Sequence, residues 1–354
     1  MKTDTIIVYG SYGYTGSLIV KECHRLGLKV LLAGRDSRKL AQQSLESGYP
    51  FEMVDLANMQ ALTALLEKGT LVIHCAGPFQ FTARQMIAAC LNTHTHYTDI
   101  TGEFQVFEML ASFDEAGKQA GIMIMPGTGF DVVPSDCLAL HLKEQLPTAT
   151  HLQLAFASSG GFSRGTSKTM IEGLGYGGTI RKDGVLTHIK TAARILNIDF
   201  GHFRSKAVCI PWGDIATAYR STGIPSIEVY AGVNERTVRF LKASNLINPL
   251  LRTRWIKNFL RSRVEKQQAG PSAEKLASAR SYLWGRVWDD RNNEVQARLE
   301  TLNGYALTAK ASVHIARKIL EGNVKPGYAT PAMMYGSGLI LELEGTRGFT
   351  DAEG

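Results

Sequence analysis

Three glycines spaced three residues apart, in Gly10-Ser11-Tyr12-Gly13-Tyr14-Thr15-Gly16, lie between an apolar run at 5–9 and a stretch of helical periodicity. Glycines in such a turn let backbone N–H groups approach a pyrophosphate, whose charge is stabilised at the N-terminus of the following helix. Thr15 adds a hydroxyl donor; the plain alternative is a tight strand-to-helix turn without a ligand. The next apolar run ends in Ala33-Gly34-Arg35. An acid there would hold a ribose 2′-hydroxyl, whereas an arginine suits a 2′-phosphate through paired hydrogen bonds, so Arg35 points to NADP(H). Asp36 beside it reads as a helix N-cap. The third run ends near Asp55, placed to accept from an adenine amino group. The fourth ends at Ala76-Gly77-Pro78-Phe79, a turn that would pass beside a nicotinamide. Four successive strand ends with suitable residues predict a dinucleotide site at the carboxyl edge of a parallel sheet.

Hydride transfer to a carbonyl, imine or activated alkene also calls for a proton donor. Asp131 follows the sixth strand-like run, and Asp99 and Glu103 stand at the end of the fifth. For each, the alternative to chemistry is an Asx turn or a helix cap. Residues 160–168 form a polar, glycine-rich loop before a helix. It either closes over the nicotinamide, with Thr166, Ser167 or Lys168 holding an acyl oxygen, or is a capped loop and no more. No tyrosine is followed four positions later by lysine, so the short-chain dehydrogenase dyad is missing. His94 and His96 have no further ligands at suitable spacing, and no metal is predicted.

Such residues need a scaffold, and the first 125 positions supply one. Strand-like runs at 5–9, 30–33, 51–54, 71–75, 96–99 and 122–125 alternate with helical stretches at 17–26, 37–46, 58–67, 82–91 and 105–120. This predicts an α/β fold, an N-terminal Rossmann doubly wound parallel sheet. Beyond Pro134 the pattern changes to alternating strands at 151–157, 225–233, 282–288 and 295–302. The last two flank a polar turn and read as a hairpin, so a central α+β domain with an antiparallel sheet is expected. A helix at 307–320 stops at Gly322-Asn323, and another starts near Pro331. The expected division is a Rossmann domain at 1–130, an α+β domain at 131–308 and helices at 309–354.

With 354 residues, 44% hydrophobic and 20% charged, the chain has the composition of a folded, two-domain protein. Five widely spaced cysteines without a Cys-x-x-Cys pair argue against a disulfide framework or a thiolate zinc site and suit a reducing cytoplasm. No long apolar segment and no signal-like N-terminus occur, so neither secretion nor membrane spanning is expected. The net charge of +7 is local: residues 236–266 hold nine basic residues and one acid, leaving the remainder near neutral. Without a basic stripe interleaved with stacking aromatics, nucleic-acid binding is not expected. Within 250–263, Leu250, Leu251, Trp255, Ile256, Phe259 and Leu260 recur at helical spacing opposite Arg252, Arg254, Lys257, Arg261 and Arg263. This cationic amphipathic helix either packs its apolar stripe on the central domain or docks an acidic carrier protein or a membrane surface.

The glycine run, the Ala-Gly-Arg strand end, Gly77-Pro78-Phe79, Ala88-Ala89-Cys90 and the stretch from His96 to Glu103 together resemble saccharopine dehydrogenase-like oxidoreductases. Gly127-Thr128-Gly129-Phe130-Asp131, Ser221-Thr222-Gly223-Ile224-Pro225 and Gly327-Tyr328-Ala329-Thr330-Pro331 extend the resemblance over most of the chain. It implies an NADP-binding Rossmann domain, a central α+β domain and a C-terminal return, and it places Asp131 at the active site. One branch of the family contains trans-acting enoyl reductases, which act on acyl chains carried by separate synthases. Ala83 departs from a glycine usual after the Gly-Pro-aromatic turn. The basic residues a saccharopine enzyme needs for its several carboxylates are not apparent, which turns the expectation away from lysine metabolism. The expectation is an NADP(H)-dependent, cytoplasmic, homodimeric oxidoreductase acting on an enoyl, imine or carbonyl group, with an acyl thioester on a carrier protein among its substrates. Asp131, Lys168 and Asp99 are the catalytic candidates; a non-catalytic NADP(H) sensor or a lipid-associated protein is the alternative.

Overall fold

The computed structural model describes residues 4–158 and 163–351, so 160–162 of the glycine-rich loop lie outside the described residues. The chain divides into two compact units, Met1–Val133 with Tyr305–Tyr335, and Pro134–Gly304 with Gly336–Gly354.

Six strands of the first unit arise from the apolar runs: β1 (Thr5–Tyr9), β2 (Lys29–Gly34), β3 (Phe51–Met53), β4 (Leu71–His74), β5 (His96–Asp99) and β6 (Met123–Met125). A seventh, Gly327–Tyr328, pairs with β6. The order is Gly327–Tyr328, β6, β5, β4, β1, β2, β3, and the pairings are parallel. Ile6, Ile7, Val8, Leu71, Val72 and Ile73 are all fully buried, because helices cover both faces of the sheet and leave no solvent side for alternation. Between β1 and β4 the strand order reverses, which opens the crevice where such sheets bind ligands. Helix ends follow local chemistry. The Asp36 side chain accepts from Lys39 N, and Gly48, at φ 76°, closes the helix Ser37–Ser47. The single helix expected at 105–120 is two, Phe104–Ala111 and Asp114–Ala120. There Ser112 donates its hydroxyl back to the Met109 carbonyl and the chain leaves helical geometry at Phe113.

The second unit is built on a nine-stranded mixed sheet. Its strands are β7 (His151–Ser158), β8 (Gly178–Lys182), β9 (Val185–Ile189), β10 (Ile195–Asp199), β11 (Arg204–Cys209), β12 (Ser226–Val233), β13 (Arg280–Trp288), β14 (Glu294–Leu302) and a last strand, Arg347–Asp351. Strands β7 and β12 are parallel, and the remaining pairs antiparallel. The expected β13–β14 hairpin is closed by Asp289, which accepts from Arg291 N, Asn293 N and Asn293 Nδ2. The segment 309–354 does not return to the first unit as a whole, since Arg347–Asp351 pairs with β14 in the second.

The basic helix, Arg254–Glu265, is rotated from the orientation its periodicity suggests: Ile256, Leu260 and Val264 are wholly or partly buried together with Lys257 and Arg261, and the rest of the helix's apolar stripe is not. Lys257 is buried and donates to the Glu172 carbonyl at 2.6 Å, Arg261 pairs with the Glu172 carboxylate, and Arg252 donates to the Gly175 carbonyl at 2.9 Å. Lys257 and Arg252 also lie over the Tyr176 ring. Carbonyls at the C-terminus of the helix Arg164–Gly173, together with a carboxylate and a ring face, thus draw the cations inward. Trp255 and Phe259 are left exposed.

Candidate functional site

The phosphate-binding candidate sits where β1 meets the helix Tyr14–Arg25. Gly10 adopts φ +81° and donates to the Ala33 carbonyl at 2.8 Å, so the loop turns back against β2. A Cβ on Gly16 would meet the Gly10 carbonyl oxygen at 2.4 Å, and one on Gly10 would meet Ala76 N at 3.0 Å. Gln43 donates to the Ser11 carbonyl at 2.9 Å and anchors the loop from the next helix. The helix has no capping side chain at Gly13, and the buried Ser11 hydroxyl has no partner among the described residues. A glycine cradle, an uncapped helix N-terminus and an orphaned hydroxyl fit a pyrophosphate. Tyr14 packs edge-on against Tyr305, 5.2 Å between centroids, and burial pushes its phenol up to about 12, so it stays neutral.

At the end of β2, the Tyr12 ring covers Gly34, where a Cβ would meet Tyr12 Cε1 at 2.6 Å. Arg35 N donates to the Tyr12 hydroxyl at 3.3 Å, and Lys39 Nζ stands 5.5 Å from the centre of that ring. The Arg35 side chain is exposed, with no ion pair among the described residues. Asp36 takes the capping role expected of it. Asp36→Ala should therefore lower the melting temperature while leaving NADPH affinity unchanged, as thermal melts with and without cofactor would register. Asp55, the adenine candidate, already accepts from Ala57 N at 2.9 Å through Oδ1, an Asx turn that uses one of its oxygens.

The turn Ala76-Gly77-Pro78-Phe79 follows β4, with Gly77-Pro78 cis. Glu103 braces it: its two carboxylate oxygens accept from Phe79 N at 2.8 Å and Gln80 N at 2.9 Å. Thr82 donates to the Ala76 carbonyl at 2.8 Å and meets His74 Nε2 at 2.9 Å. Burial holds His74 down to about 3, so it remains neutral beneath the turn.

Asp99 ends β5 fully buried and ties three segments together, accepting from Tyr97 Oη at 2.6 Å, Thr101 N at 3.0 Å and Gly127 N at 2.8 Å. Burial pushes its carboxyl up to about 6 against those hydrogen bonds. Both oxygens of Asp99 are thus engaged by the protein's own donors. Asp131 is half-buried in the loop after β6, its Oδ2 so close to Gly102 that a Cβ there would lie 2.6 Å away. Burial, and then the charge of Glu103, push its carboxyl up to about 7. The loop is held by two residues not expected from the sequence. Thr308 Oγ1 accepts from Phe130 N at 2.9 Å, and Ser312, one turn along the helix Gly304–Leu320, donates to the Thr128 carbonyl at 3.1 Å. Two hydroxyls four apart on the otherwise apolar buried face of that helix were the available signal.

Lys168, on the helix Arg164–Gly173 of the second unit, donates to Glu265 at 3.1 Å. Its helix is capped by Ser163, whose side chain accepts from Thr166 N.

Residues 6–125 match the family model of the saccharopine dehydrogenase NADP binding domain. The chain is 28% identical over 211 residues to a saccharopine dehydrogenase-like oxidoreductase of Rattus norvegicus, covering 52% of this chain and 49% of that protein. It is 32% identical over 183 residues to a Mycobacterium tuberculosis protein provisionally named trans-acting enoyl reductase, covering 47% and 43%. It spans about half the length of the curated relatives it matches. Apo saccharopine dehydrogenase (L-Glu forming) from Saccharomyces cerevisiae shares the fold, with a TM-score of 0.70 over 99% of this chain and 100% of that one at 11% identity.

Proposed function

We propose that this chain, whose residues 6–125 match the saccharopine dehydrogenase NADP binding domain, is an NADPH-dependent reductase. Its substrate is an enoyl, imine or carbonyl compound, foremost an enoyl thioester borne on a carrier protein. The observation that carries the cofactor half is Arg35, an exposed guanidinium without an ion pair among the described residues, at the strand end where a ribose 2′-phosphate would lie. The name of the Mycobacterium tuberculosis relative supports the enoyl substrate.

Saturating an enoyl double bond requires one hydride and one proton, and the bound cofactor supplies the hydride from its reduced nicotinamide. The chain's own part is to hold and to protonate. The loop from Gly10 to Gly16 and the Ser11 hydroxyl would hold the pyrophosphate, Arg35 the 2′-phosphate and the second carboxylate oxygen of Asp55 the adenine. The Ala76–Phe79 turn, braced by Glu103, would border the nicotinamide. Asp131 carries a proton near neutral pH beside that turn's brace and is the donor to the substrate carbon or heteroatom. Asp99, Thr308 and Ser312 fix the loop on which it stands. All five cysteines are thiols, the state a reducing cytoplasm maintains. Among the described residues no helix is long and apolar enough to cross a membrane.

The test is NADPH oxidation, followed spectrophotometrically, against free and carrier-borne enoyl thioesters, imines and ketones. Turnover of an enoyl thioester, with NADPH preferred over NADH, is the expected result. Tight NADPH binding without oxidation by any member of the panel would overturn the reading in favour of a sensor.

A further inference from the structure

The outer face of the second unit carries a composition that reduction does not use. Along the helix Glu235–Ser244, the connection at 245–253 and the helix Arg254–Glu265, large apolar side chains face solvent: Phe240 is 69% exposed, Leu246 88%, Leu250 51%, Trp255 74% and Phe259 51%. Trp255 and Phe259 stand one turn apart on the exposed side of the helix, flanked by Arg254 on one edge and on the other by Arg263, whose guanidinium lies 5.3 Å from the centre of the Phe259 ring. Of the nine cations in 236–266, Arg252, Lys257 and Arg261 are turned inward and Arg239 pairs with Glu235. The other five, Arg236, Lys242, Arg254, Arg263 and Lys266, are exposed and have no ion pair among the described residues.

We propose that this face seats on an anionic phospholipid bilayer, with the aromatic and aliphatic side chains entering the headgroup boundary and the five cations contacting lipid phosphates and carboxylates. Three observations favour lipid over other occupants. The apolar side chains protrude, and a bilayer accommodates protruding groups wherever they stand, whereas a folded partner would need a matching cleft for each. Trp255 is the residue type that settles at a membrane boundary, with arginines flanking that side of the helix. A second copy of this chain would present the same unpaired positive charge, and like charges brought face to face repel. The inward cations add rigidity, since Lys257 and Arg261 fasten the helix to Glu172 and so fix which side faces out. The proposal stands independently of the catalytic reading.

The test is sedimentation of the full chain with vesicles of phosphatidylcholine plus phosphatidylserine and with vesicles of phosphatidylcholine alone. The expected result is binding to the anionic vesicles that weakens as salt rises, with a blue shift of tryptophan emission that Trp255→Phe removes. Trp255→Ser with Phe259→Ser, and separately Arg254→Glu with Arg263→Glu, should each reduce the vesicle partition coefficient by about tenfold or more. All four side chains are exposed, so circular dichroism and melting should match the parent. No sedimentation of the parent, or partitioning unchanged in both double variants, would overturn the proposal. So would variants that bind vesicles normally but raise KM for a carrier-borne substrate, which would assign the face to a carrier protein.

Discussion

Arg35→Ala is expected to weaken NADPH binding about 30- to 100-fold, the worth of a lost pair of charge-assisted hydrogen bonds, while NADH affinity changes little. Only NADPH presents a 2′-phosphate. In the free protein the Arg35 guanidinium is exposed and unpaired among the described residues, so it sacrifices no existing contact to meet that dianion. Lys39, near the Tyr12 ring and tied to Asp36 at 3.4 Å, is the nearby cation that would retain some preference for NADPH in the variant. Titration calorimetry with both cofactors measures the two losses directly. The gap between them should narrow as salt rises, because the contact is solvent-accessible. Equal losses for NADPH and NADH would mean that Arg35 shapes the strand end instead of reading the phosphate, and the cofactor assignment would fail.

The parallel sheet was legible because a strand buried on both faces writes itself as an unbroken apolar run, and TIIVY and LVIH are such runs. The phosphate loop was legible for a similar reason, since only glycine tolerates φ +81° at Gly10 or the 2.4 Å approach at Gly16. What stayed hidden was nonlocal. The hairpin of β8 and β9 turns at Asp183-Gly184, both with positive φ, a favoured two-residue turn. Its strands are half exposed and mixed in polarity, so the turn had no alternating flanks to announce it. Strand Gly327–Tyr328 has two residues and exists only because β6 offers it an edge. Asp99 looked like a reactive acid from the chain alone; it accepts from its near neighbours Tyr97 and Thr101 and from Gly127, 28 positions away, and only the last contact, which braces the loop after β6, was hidden in the sequence. The basic helix shows the limit most clearly. Its periodicity was readable, but which side faces inward depended on Glu172, Tyr176 and the carbonyl of Gly175, about 80 residues away in sequence.

Asp131→Asn should lower kcat about 100- to 1,000-fold, the usual worth of a positioned proton donor, with KM for NADPH nearly unchanged. Burial and the neighbouring Glu103 raise the carboxyl from 3.8 to about 7, so at neutral pH a large fraction holds the proton that reduction consumes. In the parent, kcat should fall as pH rises through about 7, and the residual rate of the asparagine variant should lack that limb. Stability gives an independent reading of the same group. Between pH 4 and 7 the folded protein keeps a proton that the unfolded chain has released, so raising pH through that window costs the parent stability. Asparagine cannot ionise. The melting temperature of the variant relative to the parent should therefore climb from pH 4 to pH 7 and level off above it. If Asp131 were a helix cap that works as an anion, the substitution would lower the melting temperature most at high pH, the opposite trend, while kcat followed the folded fraction. Glu103→Gln separates the second cause from the first: removing that charge should move the falling limb of the parent's pH profile to lower pH. A limb that does not move would place the titrating group elsewhere and remove Asp131 from the proton path.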